Sequence, residues 1–220
     1  MDLFLDMFSY TFINYALIAG SLIAVCSALL GVPLVLKRYS MIGDGLSHVA
    51  FGSMAIAMAL NASPLMISIP ITVLSAFLLL RVSSNSNIKG DSSVALISTS
   101  SMALGILITS MTSGLNTDVT SFLFGSILSI AKTDVIISII LAVVVVGFFV
   151  FFYNRIFGIT FDENFSNATG TKVSLYNSLI AVLTALTVVI GMRLMGAMMI
   201  SSLIIFPSLS AMRIFKSYKG

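Results

Sequence analysis

The sequence predicts an all-α membrane protein, a polytopic bundle of about seven transmembrane helices with one further short re-entrant helix. Three observations carry this. Of 220 residues, 58% are hydrophobic and 9% charged, against roughly 25% charged in soluble domains. The apolar residues gather into runs of about 20, the length that crosses a bilayer core of roughly 30 Å. The polar residues collect between those runs. Eleven basic and eight acidic side chains are too few to cover a water-soluble globule of this size. That excludes an ordinary cytosolic enzyme, a nucleic-acid binder and a disordered tail.

The first span runs from about Phe12 to Leu36, with a local bend expected at Gly31-Val32-Pro33, and ends at Lys37-Arg38. The second, about Ile42 to Leu60, is unusual because it contains Asp44 and His48. The third runs from about Pro64 to Leu80 and carries Pro70, a kink that neighbouring helices must re-satisfy. Ser83 to Asn87 is polar and reads as a loop. The fourth span covers about Val94 to Met111. Thr120 to Ala131, with Phe122-Leu123-Phe124-Gly125, is apolar but too short to cross, which fits a re-entrant or interfacial helix. The fifth span, Val135 to Tyr153, holds no charge. A loop from about Gly158 to Lys172 follows, then spans at about Val173 to Met192 and Leu194 to Met212. The chain reads as a single membrane domain, with no soluble domain or linker. Its start lacks the basic residues of a cleavable signal, because Asp2 and Asp6 stand there.

Charge sets the expected orientation. With the amino terminus outside, Lys37, Arg38, Arg81, Lys89, Arg155, Lys172, Arg213, Lys216 and Lys219 lie on the cytoplasmic side, nine of the eleven bases. The inverse topology would place these nine outside, against the positive-inside tendency. Asp2, Asp6, Asp118 and Asp134 then face outward beside Lys132 and Arg193. They are either a mildly cation-attracting mouth, Asp118 and Asp134 above all, or solvated loop ends.

Gly43-Asp44-Gly45-Leu46-Ser47-His48 is the stretch with chemistry in it. His48 is the one histidine of the chain. Asp44 and His48 are four apart and share a helix face. An aspartate within a span is costly, and such residues usually face a bundle interior or a wet cavity. A carboxylate and an imidazole one turn apart suit a divalent transition metal. Two ligands bind weakly, which suits an ion that must leave again. The other reading is an aspartate capping a helix start beside a packed histidine, and the residues alone leave both open. Cys26 reads as inert packing, and Met195, Met198 and Met199 as packing or lipid-facing side chains rather than copper ligands. No zinc-protease, nucleophile-elbow or Walker A motif is present, so no catalytic residue is assigned and any ATP hydrolysis is expected on another subunit. Phe161-Asp162-Glu163 to Ala168-Thr169-Gly170 fits a short amphipathic helix. Acids stand at its start, Phe161, Phe165 and Ala168 are apolar, and Gly170 is the C-terminal stop. It would dock in a partner's groove or lie on lipid headgroups.

Four stretches in order, Leu34 to Arg38 with Gly43 to His48, Phe122 to Gly125, Phe161-Asp162-Glu163 with Ala168-Thr169-Gly170, and Met195-Gly196-Ala197 with Ser201 to Pro207, resemble the membrane permeases of bacterial zinc, manganese and iron ABC importers, the ABC-3 family. The resemblance covers about residues 12 to 215. It implies a type II ABC importer permease that pairs with a second copy in the bacterial cytoplasmic membrane. It also implies a cytoplasmic ATPase subunit and an extracellular metal-binding solute-binding protein. Asp44 and His48 match the family's Gly-Asp-x-x-Ser-His pair, which contacts the metal, and Asp162 to Gly170 match the loop that couples to the ATPase. The cargo implied is Zn2+, alternatively Mn2+ or Fe2+, with no permanently bound cofactor. Ser201 to Pro207 and Met192 to Ala197 look more like the zinc branch. Family members usually run tens of residues longer, with further helix after the Pro207 region, so the expectation is either a terminal hairpin after Gly220 or a truncated form. A cobalamin- or siderophore-type permease would not need the Asp/His pair, and a non-transporting scaffold would need neither pair nor ATPase.

Overall fold

A computed structural model describes residues 10–39, 41–85, 90–112, 123–126, 130–215 and 218, with backbone alone over 82–85 and 90–91. Those residues form eight helices: α1 (Thr11–Leu36), α2 (Ile42–Ala59), α3 (Pro64–Asn85), α4 (Gly90–Met111), α5 (Lys132–Phe161), α6 (Glu163–Ala168), α7 (Val173–Met195) and α8 (Ala197–Ile214). No strand occurs among them. Six helices are long and apolar enough to cross a membrane: α1, α3, α4, α5, α7 and α8. The second expected span, α2, is not among them; Gly43, Asp44, Gly45, Ser47, His48, Gly52 and Ser53 crowd its length.

That composition matches the place of α2 in the bundle. It packs against α3, α4, α7 and α8, and 13 of its 18 residues are buried. Lipid supplies no hydrophobic drive between helices, so close approach comes from small residues and internal hydrogen bonds. A Cβ at Gly45 would lie 2.5 Å from Val94 Cγ1, and one at Gly52 2.7 Å from the carbonyl oxygen of Ser101. These two glycines, seven apart, let α4 lie directly on α2. Ser53 Oγ donates to Ala50 O and lies 2.8 Å from Ser68 Oγ, joining α2 to α3 through buried hydroxyls. α1 is held by α5, α7 and α8, and Ile204 O and Ser208 Oγ occupy the space a side chain at Gly31 would need.

Several boundaries differ from the sequence expectation. α1 and α3 run unbroken through Pro33 and Pro70. The break in helical backbone falls instead within α5, at Phe152 (φ −109°, ψ 16°). α3 continues through the polar residues to Asn85 and α5 continues to Phe161. Helix ends that leave the apolar layer keep their backbone bonds, and polar side chains there cost little. Half of the expected re-entrant segment, 120–122 and 127–129, lies outside the described residues. Of its described part, Leu123 to Ser126 rests against the α7–α8 junction, where Gly125 (φ 78°) and Gly196 (φ 87°) meet. A Cβ on Gly196 would fall 2.5 Å from Leu123 O and Gly125 N, and only glycine reaches that backbone conformation at no steric cost.

Candidate functional site

The Asp44/His48 pair stands at the start of α2. Gly43 turns toward α8, where Ile204 Cδ1 would be 2.9 Å from a Cβ, and Gly45 turns toward α4. Leu46, Ser47, Val49 and Ala50 are buried. Asp44 and His48 are therefore left on the one partly open stripe of the helix, with side chains 37% and 18% exposed. Ser47 Oγ donates to Asp44 O and closes the first turn. His48 Nε2 lies 3.7 Å from Asp44 Oδ1, beyond hydrogen-bond reach. His48 Nδ1 is buried without a partner, which costs about 1–3 kcal/mol for a polar atom. The N-cap of α2 is Met41, which makes no side-chain cap, so Asp44 occupies the first turn, where a negative charge is favoured by the helix dipole.

At 3.7 Å the two groups stand within ion-pair distance and near the separation of two ligands on one metal ion. Two ligands at about 2.0–2.2 Å in tetrahedral geometry stand roughly 3.3 Å apart, a few tenths of an ångström inside the separation seen here. No group of three or more His, Cys, Asp or Glu occurs among the described residues. The pair offers one carboxylate and one imidazole, two candidate donors.

The expected amphipathic segment is α6. Asp162 is its N-cap, with its carboxylate accepting from the Phe165 N–H at 2.9 Å. At the other end Gly170 N–H reaches Asn167 O and Thr171 N–H reaches Ser166 O, both at 3.0 Å, with Gly170 at φ 82°. This is the Schellman ending a glycine in that position predicts. Ser166 packs inward near Gly158. Phe161 and Phe165 are 60% and 65% exposed, and Ala168 is exposed. The apolar side chains of α6 face away from the bundle.

Two polar clusters were invisible in sequence because their members are far apart along the chain. Glu163 pairs with Lys37 at 2.7 Å, and both bond Asn177. Burial pulls the Lys37 ammonium below its ordinary range despite Glu163. Burial pushes the Glu163 carboxyl up, but the hydrogen bond and charge of Lys37, with Asn177, outweigh it and hold it below the usual carboxylate range. Both shifts run downward, which favours the charged carboxylate and disfavours the charged ammonium. Such a pair supplies position more than stability. The second cluster lies at the other end of α7, about 24 Å away along the helix. There Arg193 Nη1 is 3.1 Å from Asp134 Oδ1, and the Ala131 N–H donates to Asp134 Oδ2. Asp134 is 4% exposed and its charge is engaged by Arg193. Asp2, Asp6 and Asp118 lie outside the described residues. Met198 and Met199 are exposed, and Met195 Cε covers Gly20.

A bundle of long apolar helices around one helix bearing an Asp/His pair defines a polytopic membrane protein. The ABC 3 transport family model matches residues 9–220, and the chain belongs to that family. It is 27% identical to "Manganese transport system membrane protein MntC" of Halalkalibacterium halodurans, over 94% of this chain and 70% of that protein. It is 28% identical to "High-affinity zinc uptake system membrane protein ZnuB" of Haemophilus influenzae, over 90% and 76%. The solved structure "PsaBC from Streptococcus pneumoniae in complex with Fab" superposes with a TM-score of 0.85 at 27% identity, covering 99% of this chain and 79% of that one.

Proposed function

We propose that this chain is the membrane permease of an ATP-driven importer for a divalent transition metal, Zn2+ first, in the bacterial cytoplasmic membrane. The observation that carries the reading is the Asp44/His48 pair, unbonded at 3.7 Å on the open stripe of the most enclosed helix. Asp44 supplies a hard oxygen and His48 a borderline nitrogen, a set that takes Zn2+ or Mn2+. With two ligands from this chain, the ion is held weakly enough to be released. Family membership and relatives named for manganese and zinc support the same class.

The amino terminus faces outward, so that Lys37, Arg155 and Lys172 meet the cytoplasm with α6. The exposed Phe161 at the end of α5 and Phe165 of α6 form the contact for a separate ATPase subunit. A solute-binding protein delivers the ion at the opposite end, near Arg193, and two copies of the chain flank the path. The test is uptake of radiolabelled Zn2+ and Mn2+ into proteoliposomes holding the permease with its ATPase. Asp44→Ala and His48→Ala are expected to abolish uptake while the ATPase still co-purifies. Normal uptake in both variants would remove the assignment, and preferential Mn2+ uptake would reassign the cargo.

A further inference from the structure

We infer that Lys37, Glu163 and Asn177 form a mechanical latch that carries displacement of α6 to the Asp44/His48 helix. This rests on reading α6 as the ATPase contact. Lys37 Nζ donates to Glu163 Oε1 at 2.7 Å and to Asn177 Oδ1 at 2.5 Å, and Asn177 Nδ2 donates back to Glu163 Oε1 at 3.1 Å. The ring joins the end of α1, the start of α6 and the first turns of α7.

The two sides of the ring differ in freedom. The Lys37 side chain is 9% exposed and that of Glu163 is 48% exposed. Lys37 and Asn177 line one small cavity together with Leu34, Ile42, Leu80 and Ile180, where α1, α2, α3 and α7 converge. An ammonium held there cannot give up an acceptor without leaving a charge uncompensated. When α6 moves, Glu163 moves with it, and Lys37 has to follow.

What Lys37 moves is short and braced. It caps α1 with its own N–H on Pro33 O. The chain then reverses through Arg38 at φ 62°, which few non-glycine residues adopt. Tyr39 N–H returns to Leu34 O, and Ile42 N–H bonds Tyr39 O. α2 begins at Ile42, two residues before Asp44. The backbone bonds of Lys37, Arg38 and Tyr39 on one side and of Ile42 on the other tie the end of α1 to the start of α2, so a pull on Lys37 reaches the first turn of α2. Within the bundle, α6 otherwise packs on α5 and α7.

Lys37→Met, Glu163→Ala and the exchange Lys37→Glu/Glu163→Lys would be reconstituted with the ATPase, measuring metal moved and ATP hydrolysed in the same vesicles. The single variants are expected to keep assembly and hydrolysis, but to lose metal moved per ATP by about 5-fold or more, the low end of measured couplings between sites. The exchange is expected to restore the ratio at least in part, which a purely structural role would not do. An unchanged ratio in both single variants would overturn the latch, and so would loss of ATPase assembly in them. Glu163→Ala alters a half-exposed side chain and carries the test if Lys37→Met does not fold. Phe165→Glu separates the two readings. If it leaves ATPase assembly intact, the coupling role of α6 fails. If it abolishes assembly while the Lys37 and Glu163 variants keep a normal ratio, the latch alone fails.

Discussion

Gly52→Ala tests how closely α2 is wedged into the bundle. The added Cβ would stand 2.7 Å from Ser101 O, where ordinary contact begins at 3.4 Å, so α2 and α4 must part by about 0.7 Å. A backbone carbonyl cannot swing aside. Overpacking of this kind costs about 1–3 kcal/mol, offset by roughly 0.5–1 kcal/mol for replacing glycine within a helix. The net loss of about 0.5–2 kcal/mol corresponds to a fall of several degrees in Tm, at about 2–4 °C per kcal/mol for a chain this long. Gly45→Ala is the internal control. Its Cβ meets Val94 Cγ1 at 2.5 Å, a methyl that Val94→Ala removes. In detergent-solubilised protein, Gly45→Ala/Val94→Ala should be more stable than the sum of the single changes by about 0.5 kcal/mol or more. Gly52→Ala should gain nothing from Ser101→Ala. A neutral Gly52→Ala, or rescue of it by Ser101→Ala, would refute the backbone-contact argument.

Arg193→Ala strands the buried Asp134 carboxylate and is expected to cost about 1–3 kcal/mol, read as a lower unfolding temperature. Asp134→Asn keeps an acceptor for the Ala131 N–H and should cost less. The Glu163 pair has a defined pH sense, because a carboxylate held below its ordinary range contributes fully above that range and loses the contribution as pH falls through its lowered value. Acid titration of the exchange variant, with its reversed ion pair, should differ from wild type in that window, measured by thermal melts from pH 3 to 6. Cys26, fully buried in α1, should resist maleimide in the folded protein and react after denaturation, as mass spectrometry would show.

Much of the bundle was legible because bilayer thickness fixes helix length and lipid fixes composition. The charge-free run from Val135 to Tyr153 had one physical interpretation. Asp44 and His48 were legible for the converse reason, since polar side chains stand out in an apolar run. Asp162 and Gly170 announced both ends of α6 through cap chemistry that is local in sequence. The Lys37–Glu163 pair was not legible, because 126 residues separate its members and any loop base could have met any loop acid. The paired, buried state of Asp134 was hidden in the same way. The break at Phe152 has no proline or glycine at that residue to signal it.

The enclosure of α2 also bears on how the protein is made. An insertion machinery that reads successive segments for apolarity grips α2 less firmly than its neighbours. Two of the helices that surround it, α7 and α8, are synthesised more than a hundred residues later. During synthesis the segment carrying Asp44 and His48 has α1 and α3 on either side of it in the chain, but not yet its final walls. The walls around α2 are therefore completed only when the last two helices arrive, and a chain interrupted before Val173 would hold α2 against α3 and α4 with its α7 and α8 sides open to lipid.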